Sequence, residues 1–165
     1  MNITQVTAVS RDNGNSTFMK YIPLSLYRQC IYKLIPGIIL SVIPTIYLSF
    51  VLRFILDFKF LDIIIIFITL LLLNIVESLI LILVDIRKPK INWDSESTVV
   101  KQNMNIVFGY FIQILICAII IAVILLTGKT VLNSLIISNI VLVLMMIVLK
   151  QYIKKNETKL FSKIY

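Results

Sequence analysis

The chain has 165 residues, of which 59% are hydrophobic and 15% are charged, and its mean hydropathy is +1.00. Soluble globular domains average roughly 45–50% apolar and about 25% charged residues, so this composition excludes that class. Sixteen Lys and Arg against eight Asp and Glu give a net charge of +8. Because the basic residues stand between long apolar runs, we interpret them as determinants of membrane topology and predict no nucleic-acid partner.

Four apolar runs predict four transmembrane helices, so the predicted fold class is an all-α integral membrane protein. The runs cover residues 34–52, 63–84, 104–126 and 131–149, and Glu77 is the one charged residue within them. At 1.5 Å per residue, each run can cross a hydrocarbon core of about 30 Å. Barrel strands would instead be shorter segments of alternating polarity, which these runs are not.

The distribution of Lys and Arg predicts the orientation of these helices. Four basic residues precede the first run, four lie between the second and third, and five follow the fourth, whereas the other two connections hold three in total. By the positive-inside rule, both termini and the loop of residues 85–103 are expected in the cytoplasm. The predicted organisation is a cytoplasmic segment 1–33, a transmembrane domain 34–149 and a basic cytoplasmic tail 150–165.

Two cytoplasmic segments are predicted to form short helices. Residues 24–35 place apolar side chains on one stripe and Arg28 and Lys33 away from it, which is typical of an amphipathic helix on the inner leaflet. The alternative for this segment is a simple basic juxtamembrane anchor. In the middle loop, a second short helix is expected over residues 95–101, with Trp93 as an interfacial anchor.

No pattern in the chain points to an enzyme. The sequence contains no histidine, which excludes Ser-His-Asp and Cys-His arrangements, and two cysteines cannot form a four-thiolate metal site. Gly128, Lys129 and Thr130 look like the end of a phosphate-binding loop, but Val123 stands where that motif requires glycine. We therefore predict no catalytic residue, no cofactor and no metal site.

Polar side chains inside the predicted spans are costly in hydrocarbon unless they face protein or water. In the second span Asn74, Glu77 and Ser78 share one helix face, and Gln113 lies on a polar stripe of the third span. For Glu77 two roles stay open, a pathway or proton-linked role and a neutral, hydrogen-bonded packing role. The small residues on stripes of the first and third spans favour close approach of helix backbones.

Two stretches of the chain resemble a known family. Residues 8–33, AVSRDNGNSTFMKYIPLSLYRQCIYK, resemble a Ser-Arg-acidic-Gly segment, a Lys-x-(Leu/Ile)-Pro step and the basic helix that follows them in bacterial ATP-binding-cassette (ABC) exporter permeases of the type-two class. Residues 84–105, VDIRKPKINWDSESTVVKQNMN, resemble the cytoplasmic loop of the same permeases, with Pro89 and Trp93 in register. The resemblance covers nearly all of this chain and the carboxy-terminal part of such permeases.

The resemblance implies a transport subunit of the bacterial inner membrane, or a fragment of one, that has no nucleotide site of its own and works with a cytosolic ATP-binding subunit. A complete route through the membrane would require a further permease chain or self-association. The loop would then dock on the ATPase, and the residues predicted to do so are Arg87, Pro89, Lys90, Trp93, Asp94 and Lys101. The other interpretation of the loop is that its basic residues bind anionic lipid headgroups.

A different class of protein fits the composition, size and predicted orientation equally well. This alternative is a small four-span protein that transports nothing, such as a bacteriocin self-immunity protein. The two stretches that resemble permeases favour the exporter, because an immunity protein needs no docking loop. An adjacent gene for a Walker A protein would favour the exporter, and one for a toxin peptide would favour immunity.

Overall fold

The computed structural model describes residues 3–56, 59–90, 93–101, 103–127 and 131–162. All regular structure within these ranges is helical. In chain order the elements are α1 (Ile3–Val6), a 3-10 helix (Ser10–Lys20), α2 (Leu26–Leu56), α3 (Phe60–Arg87), α4 (Glu96–Lys101), α5 (Met104–Thr127), α6 (Val131–Lys155) and α7 (Glu157–Phe161).

Four helices within the described ranges are long and apolar enough to cross a membrane, which confirms the predicted all-α class and the number of candidate spans. The candidate spans are Leu26–Ile55, Phe60–Arg87, Met104–Leu126 and Leu132–Lys155. The first, second and fourth extend beyond the apolar runs that predicted them. The second ends at Arg87, two residues before Pro89, whose ring is incompatible with a continued helix.

α2 is a single helix that contains both the predicted surface helix and the first span. Its first turns direct Leu26, Cys30 and Leu34 into the protein core, where all three are buried. The helix in residues 24–35 is therefore the first part of α2 and not a separate helix, and its position on the inner leaflet stays a prediction. An apolar stripe at four-residue spacing fits a protein partner as well as a lipid surface, and here α3 and α6 supply the protein partner.

α3 is the central helix of the bundle, with α2 and α6 packed along it and α5 beside it. Apart from Thr69, the buried residues of α3 lie between Val76 and Ile86. The core is therefore concentrated where α2 begins and α3 and α6 end, and we call this the basic end of the bundle. The members of this core are Ala8, Val9, Met19, Leu26, Cys30, Leu34, Leu79, Ile82, Leu83, Ile86, Ile153 and Leu160.

At the opposite end of the bundle the helices expose large apolar side chains. Tyr47 and Phe54 of α2 are each 71% exposed, and Leu126 of α5 is 86% exposed. A soluble protein rarely exposes contiguous apolar surface on this scale. Such surface belongs against lipid chains or further helices, as expected of a multi-pass membrane protein.

The amino-terminal segment packs inside the basic end of the bundle. α1 contacts α2, α3 and α5, and residues 5–10 are buried. Its close approach to α2 occurs at Gly37, where a Cβ atom would lie 2.7 Å from Gln5 Cγ. The prediction of a cytoplasmic segment over residues 1–33 did not anticipate this insertion, because short apolar and small residues at the start of a chain carry no periodic signal.

Candidate functional site

A buried carboxylate joins the amino-terminal segment to the end of α3. Asp85 is completely buried, and its Oδ2 accepts hydrogen bonds from the backbone N–H groups of Val9, at 2.6 Å, and Ser10, at 2.9 Å. Its Oδ1 accepts from the Ser10 hydroxyl and from Asn105 Nδ2, the latter at 3.0 Å. These donors satisfy a carboxylate that would otherwise be costly to bury. We call Ser10, Asp85 and Asn105 the Asp85 junction.

The loop that follows α3 is attached to this junction. The backbone N–H of Lys90 donates to Ser10 Oγ at 2.9 Å, and the indole Nε1 of Trp93 donates to the Ser10 carbonyl oxygen at 2.9 Å. On the α5 side, Asn105 Nδ2 also donates to the carbonyl oxygen of Lys88 at 2.8 Å. A shift of the loop therefore disturbs α3, α5 and the amino-terminal segment together.

Three of the predicted docking residues are exposed on the loop and its flanks. Asp94 and Lys101 present their side chains to solvent. Arg87 is also exposed, and its Nη2 donates to the Tyr152 hydroxyl of α6 at 3.0 Å. Its guanidinium carbon lies 5.9 Å from the Tyr152 ring centroid, close enough for a cation–π contact. This pairing holds Arg87 over the end of α6.

The other three predicted docking residues are half-buried. Pro89 and Lys90 line a cavity of about 520 Å³ that also borders Asn105. Trp93 directs its indole N–H to Ser10, so the group predicted to anchor a partner is used within the chain. A buried indole N–H requires an acceptor, and the amino-terminal segment provides it.

The central residues of the junction received no role from the sequence alone. Ser10, Asp85 and Asn105 all lie in the stretches that resemble exporter permeases, so the signal was present as a motif. Ser10 and Asp85 are 75 positions apart, and no local spacing pairs residues at that distance. The sequence signal for Asp85 is its position at the end of a long apolar run, because a buried carboxylate there needs several hydrogen-bond donors.

A cleft of about 480 Å³ lies over α3 between α2 and α5. Both helices pack on α3 but make few contacts with each other among the described residues. Its polar lining residues are Thr4, Ser41, Thr45, Asn74, Glu77 and Gln113. The cleft therefore brings together three of the four residues predicted to form a polar face, namely Asn74 and Glu77 of α3 and Gln113 of α5.

Among the described residues that line the cleft, Glu77 is the only acidic one. Glu77 is 5% exposed, and its Oε1 has no hydrogen-bond donor among the described residues. Asn74 donates from Nδ2 to the Leu70 carbonyl oxygen at 3.0 Å and lies 3.4 Å from Thr45 Oγ1. Ser78 is fully buried, donates to the Asn74 carbonyl oxygen of its own helix, and lies outside the cleft.

The described part of the chain contains no group of three or more Cys, Asp and Glu side chains that could hold a metal ion, and Cys30 and Cys117 are free thiols. Comparisons with family models, with curated proteins and with solved structures find no match to this chain. A functional proposal therefore depends on the Asp85 junction, the cleft and the resemblance of residues 8–33 and 84–105.

Proposed function

We propose that the chain is a membrane subunit of a bacterial ABC exporter, which moves a substrate across the inner membrane with ATP hydrolysed by a separate cytosolic subunit. The observation that carries the proposal is the Asp85 junction. The two stretches that resemble exporter permeases are far apart in the sequence, yet Ser10 of the first is hydrogen-bonded to Asp85 and Trp93 of the second. Both stretches resemble exporter permeases, and in the structure they meet at one buried site. This favours a structural unit that the chain has in common with such permeases over a chance resemblance of each stretch.

In this proposal both termini and the loop after α3 face the cytoplasm, where the ATP-binding subunit lies. The support is the concentration of Lys and Arg in these segments. The chain works with a further permease chain or a second copy, because a transport route needs more than the four candidate spans. The bilayer covers the remaining apolar faces of the helices.

The ATP-binding subunit contacts the exposed side of the loop. Arg87, Asp94 and Lys101 are among the exposed charges there, and charges at the rim of an interface mainly steer association and fix its register. Trp93 acts differently from the predicted anchor, since it holds the loop in place through Ser10. A loop already fixed in shape loses less conformational entropy on docking.

The junction also connects the loop to the cleft. On α3, Glu77 precedes Asp85 by eight residues, and on α5, Gln113 follows Asn105 by eight residues. At 1.5 Å per residue, both cleft residues lie about 12 Å from the junction along their helices. A rotation of α5 against α3 about the junction would therefore change the separation of Glu77 and Gln113. This is how motion of the ATPase reaches the substrate.

Site-specific crosslinking tests the docking proposal. The chain carries serine in place of both cysteines, and the partner tested is any ATP-binding protein that an adjacent gene encodes. Asp94→Cys is expected to crosslink to that protein, whereas Lys59→Cys, at the opposite end of α3, is the matched control and is expected to give none. An Asp94→Cys chain that inserts in the membrane without crosslinking would contradict docking. Retention of the loop by anionic vesicles alone would then favour the lipid-headgroup interpretation.

A further inference from the structure

The cavity of about 520 Å³ between the loop after α3 and the start of α5 is lined by basic side chains. Lys88 and Lys90 line it, and no Asp or Glu does so within the described part of the chain. Asp85 is hydrogen-bonded to Asn105 at the cavity border, but its two oxygens already accept four hydrogen bonds. The two lysines outweigh that one buried carboxylate, so the charge around the cavity favours an anionic ligand.

Asn103 supplies a hydrogen-bond donor that has no acceptor among the described residues. Its Oδ1 accepts from the backbone N–H of Asn105 at 2.9 Å and so caps the amino-terminal end of α5. Because this bond identifies the oxygen of the amide, the other atom is the Nδ2 donor. Asn103 lines the cavity and is 6% exposed, and its Nδ2 is buried without an acceptor. A buried donor without an acceptor is costly, so a ligand that brings an oxygen acceptor is favoured here.

The start of α5 adds to the attraction of an anion. α5 has 24 residues, and the amino-terminal end of a long helix carries a partial positive charge. Helix amino termini are common phosphate-binding positions in proteins. Two lysines, an amide donor without an acceptor and a helix terminus meet at one cavity, and together they point to a phosphate group.

An exposed apolar stripe runs from this cavity along α5. Met104 and Phe108 line the cavity, and Phe111 and Leu115 follow them on the same face of the helix. All four side chains are more than half exposed. At 1.5 Å per residue the stripe is about 16 Å long, which is close to half of a hydrocarbon core of about 30 Å. An acyl chain of one leaflet therefore fits along it.

We propose that the cavity binds the phosphate of an anionic phospholipid whose acyl chain lies along the exposed stripe of α5. Lys88 pairs with the phosphate, Asn103 Nδ2 donates to one of its oxygens, and Lys90 adds a second positive charge beside it. None of the three exposed docking residues lines the cavity, so lipid binding is tested separately from ATPase docking. The inference does not rest on the export function.

The test uses the chain alone in phosphatidylcholine nanodiscs. The probe is phosphatidylglycerol that carries a photoactivatable diazirine on one acyl chain. Saturable labelling is expected on the α5 peptide that contains Phe108 and Phe111, with competition by unlabelled phosphatidylglycerol and none by additional phosphatidylcholine. Equal competition by the two lipids would overturn the proposal, as would labelling spread evenly over all four long helices.

Lys88→Gln tests the charge at the cavity. The side chain is exposed, so the variant is expected to fold and to raise the half-saturating concentration of the probe about fivefold. Lys154→Gln is the matched control, because it removes an exposed lysine from α6 at the same end of the bundle, and its half-saturating concentration is expected to be native. Equal effects of the two substitutions would indicate diffuse attraction to the basic end and refute the site.

Asn103→Asp tests the amide donor. Aspartate keeps an oxygen for the Asn105 N–H but replaces Nδ2 with a charged oxygen, so the affinity for the probe is expected to fall about tenfold or more. Native affinity in this variant would overturn the proposal. Competition by glycerol phosphate as strong as that by phosphatidylglycerol would assign the cavity to a soluble phosphate and refute the lipid. Displacement of the probe by an ATP-binding protein that an adjacent gene encodes would assign the cavity to that protein and refute the lipid as well.

Discussion

The indole Nε1 of Trp93 and the carbonyl oxygen of Ser10 are joined by a 2.9 Å hydrogen bond between residues 83 positions apart. The hydroxyl of the same serine donates to Asp85 and accepts from the backbone N–H of Lys90. With the bond from the Ser10 backbone N–H to Asp85, one small residue therefore attaches the loop to the end of α3 through four hydrogen bonds. The loop is shaped by the chain itself before any partner binds.

Removal of the indole N–H is expected to loosen the loop. Trp93→Phe keeps an aromatic ring but cannot donate to Ser10, so we expect a loss of about 1 kcal/mol in the free energy of unfolding. Hydrogen–deuterium exchange of residues 93–101 is expected to become faster. Asp94→Asn, whose side chain is exposed, is the control and should exchange at the native rate. Native exchange in Trp93→Phe would show that other contacts hold the loop.

Replacement of the buried Asp85 carboxylate is expected to lower the free energy of unfolding by more than Trp93→Phe does. In Asp85→Asn one oxygen becomes an N–H₂ donor that faces the N–H and O–H donors of Val9, Ser10 and Asn105. At least one buried donor then loses its acceptor, at a cost of about 2–3 kcal/mol. Thermal unfolding in detergent micelles measures this loss. Asp62→Asn serves as the control, and an equal unfolding temperature for the two variants would contradict the central role of the junction.

The packing of α1 against α2 is tested at Gly37. A Cβ in Gly37→Ala would lie 2.7 Å from Gln5 Cγ and 2.8 Å from Thr4 Oγ1, so one of the two elements must shift. Overpacking of this kind costs about 1–3 kcal/mol. Gln5→Ala removes the Cγ and Nε2 atoms of Gln5 and leaves the Thr4 contact, so the double variant is expected to be more stable than Gly37→Ala alone. If the effects of the two substitutions on the free energy of unfolding simply add, the two residues are not in contact.

The proposed orientation is tested by cysteine labelling in intact cells, with serine in place of the native cysteines. Lys59→Cys is expected to react with a membrane-impermeant maleimide, and Lys90→Cys is expected to react only after the membrane is opened. The reason is the excess of Lys and Arg on the side that carries Lys90. Lys129, the other predicted external position, lies outside the described residues. Labelling of Lys90→Cys in sealed cells would contradict the proposed topology.

The sequence by itself determined the number and position of the spanning helices. A bilayer requires about 20 apolar residues with internally paired backbone groups, and this is a local property of the chain. The run of residues 104–126 and α5, Met104–Thr127, accordingly begin at the same residue. Polar residues inside such a run also stand out without knowledge of the fold, so the sequence alone points to Glu77 and Gln113.

Only the tertiary structure decided which apolar stripes face the protein core and which distant residues meet. The apolar stripe predicted within residues 24–35 fits lipid headgroups or a protein core equally well by pattern, and helix packing directs Leu26, Cys30 and Leu34 of this segment into the core. Ser10 and Asp85 meet across 75 residues because α1 inserts between three helices, and no local periodicity encodes that insertion. Lipid and protein interior are both apolar surroundings, so an apolar stripe in the sequence does not distinguish them, and the packing of the helices does.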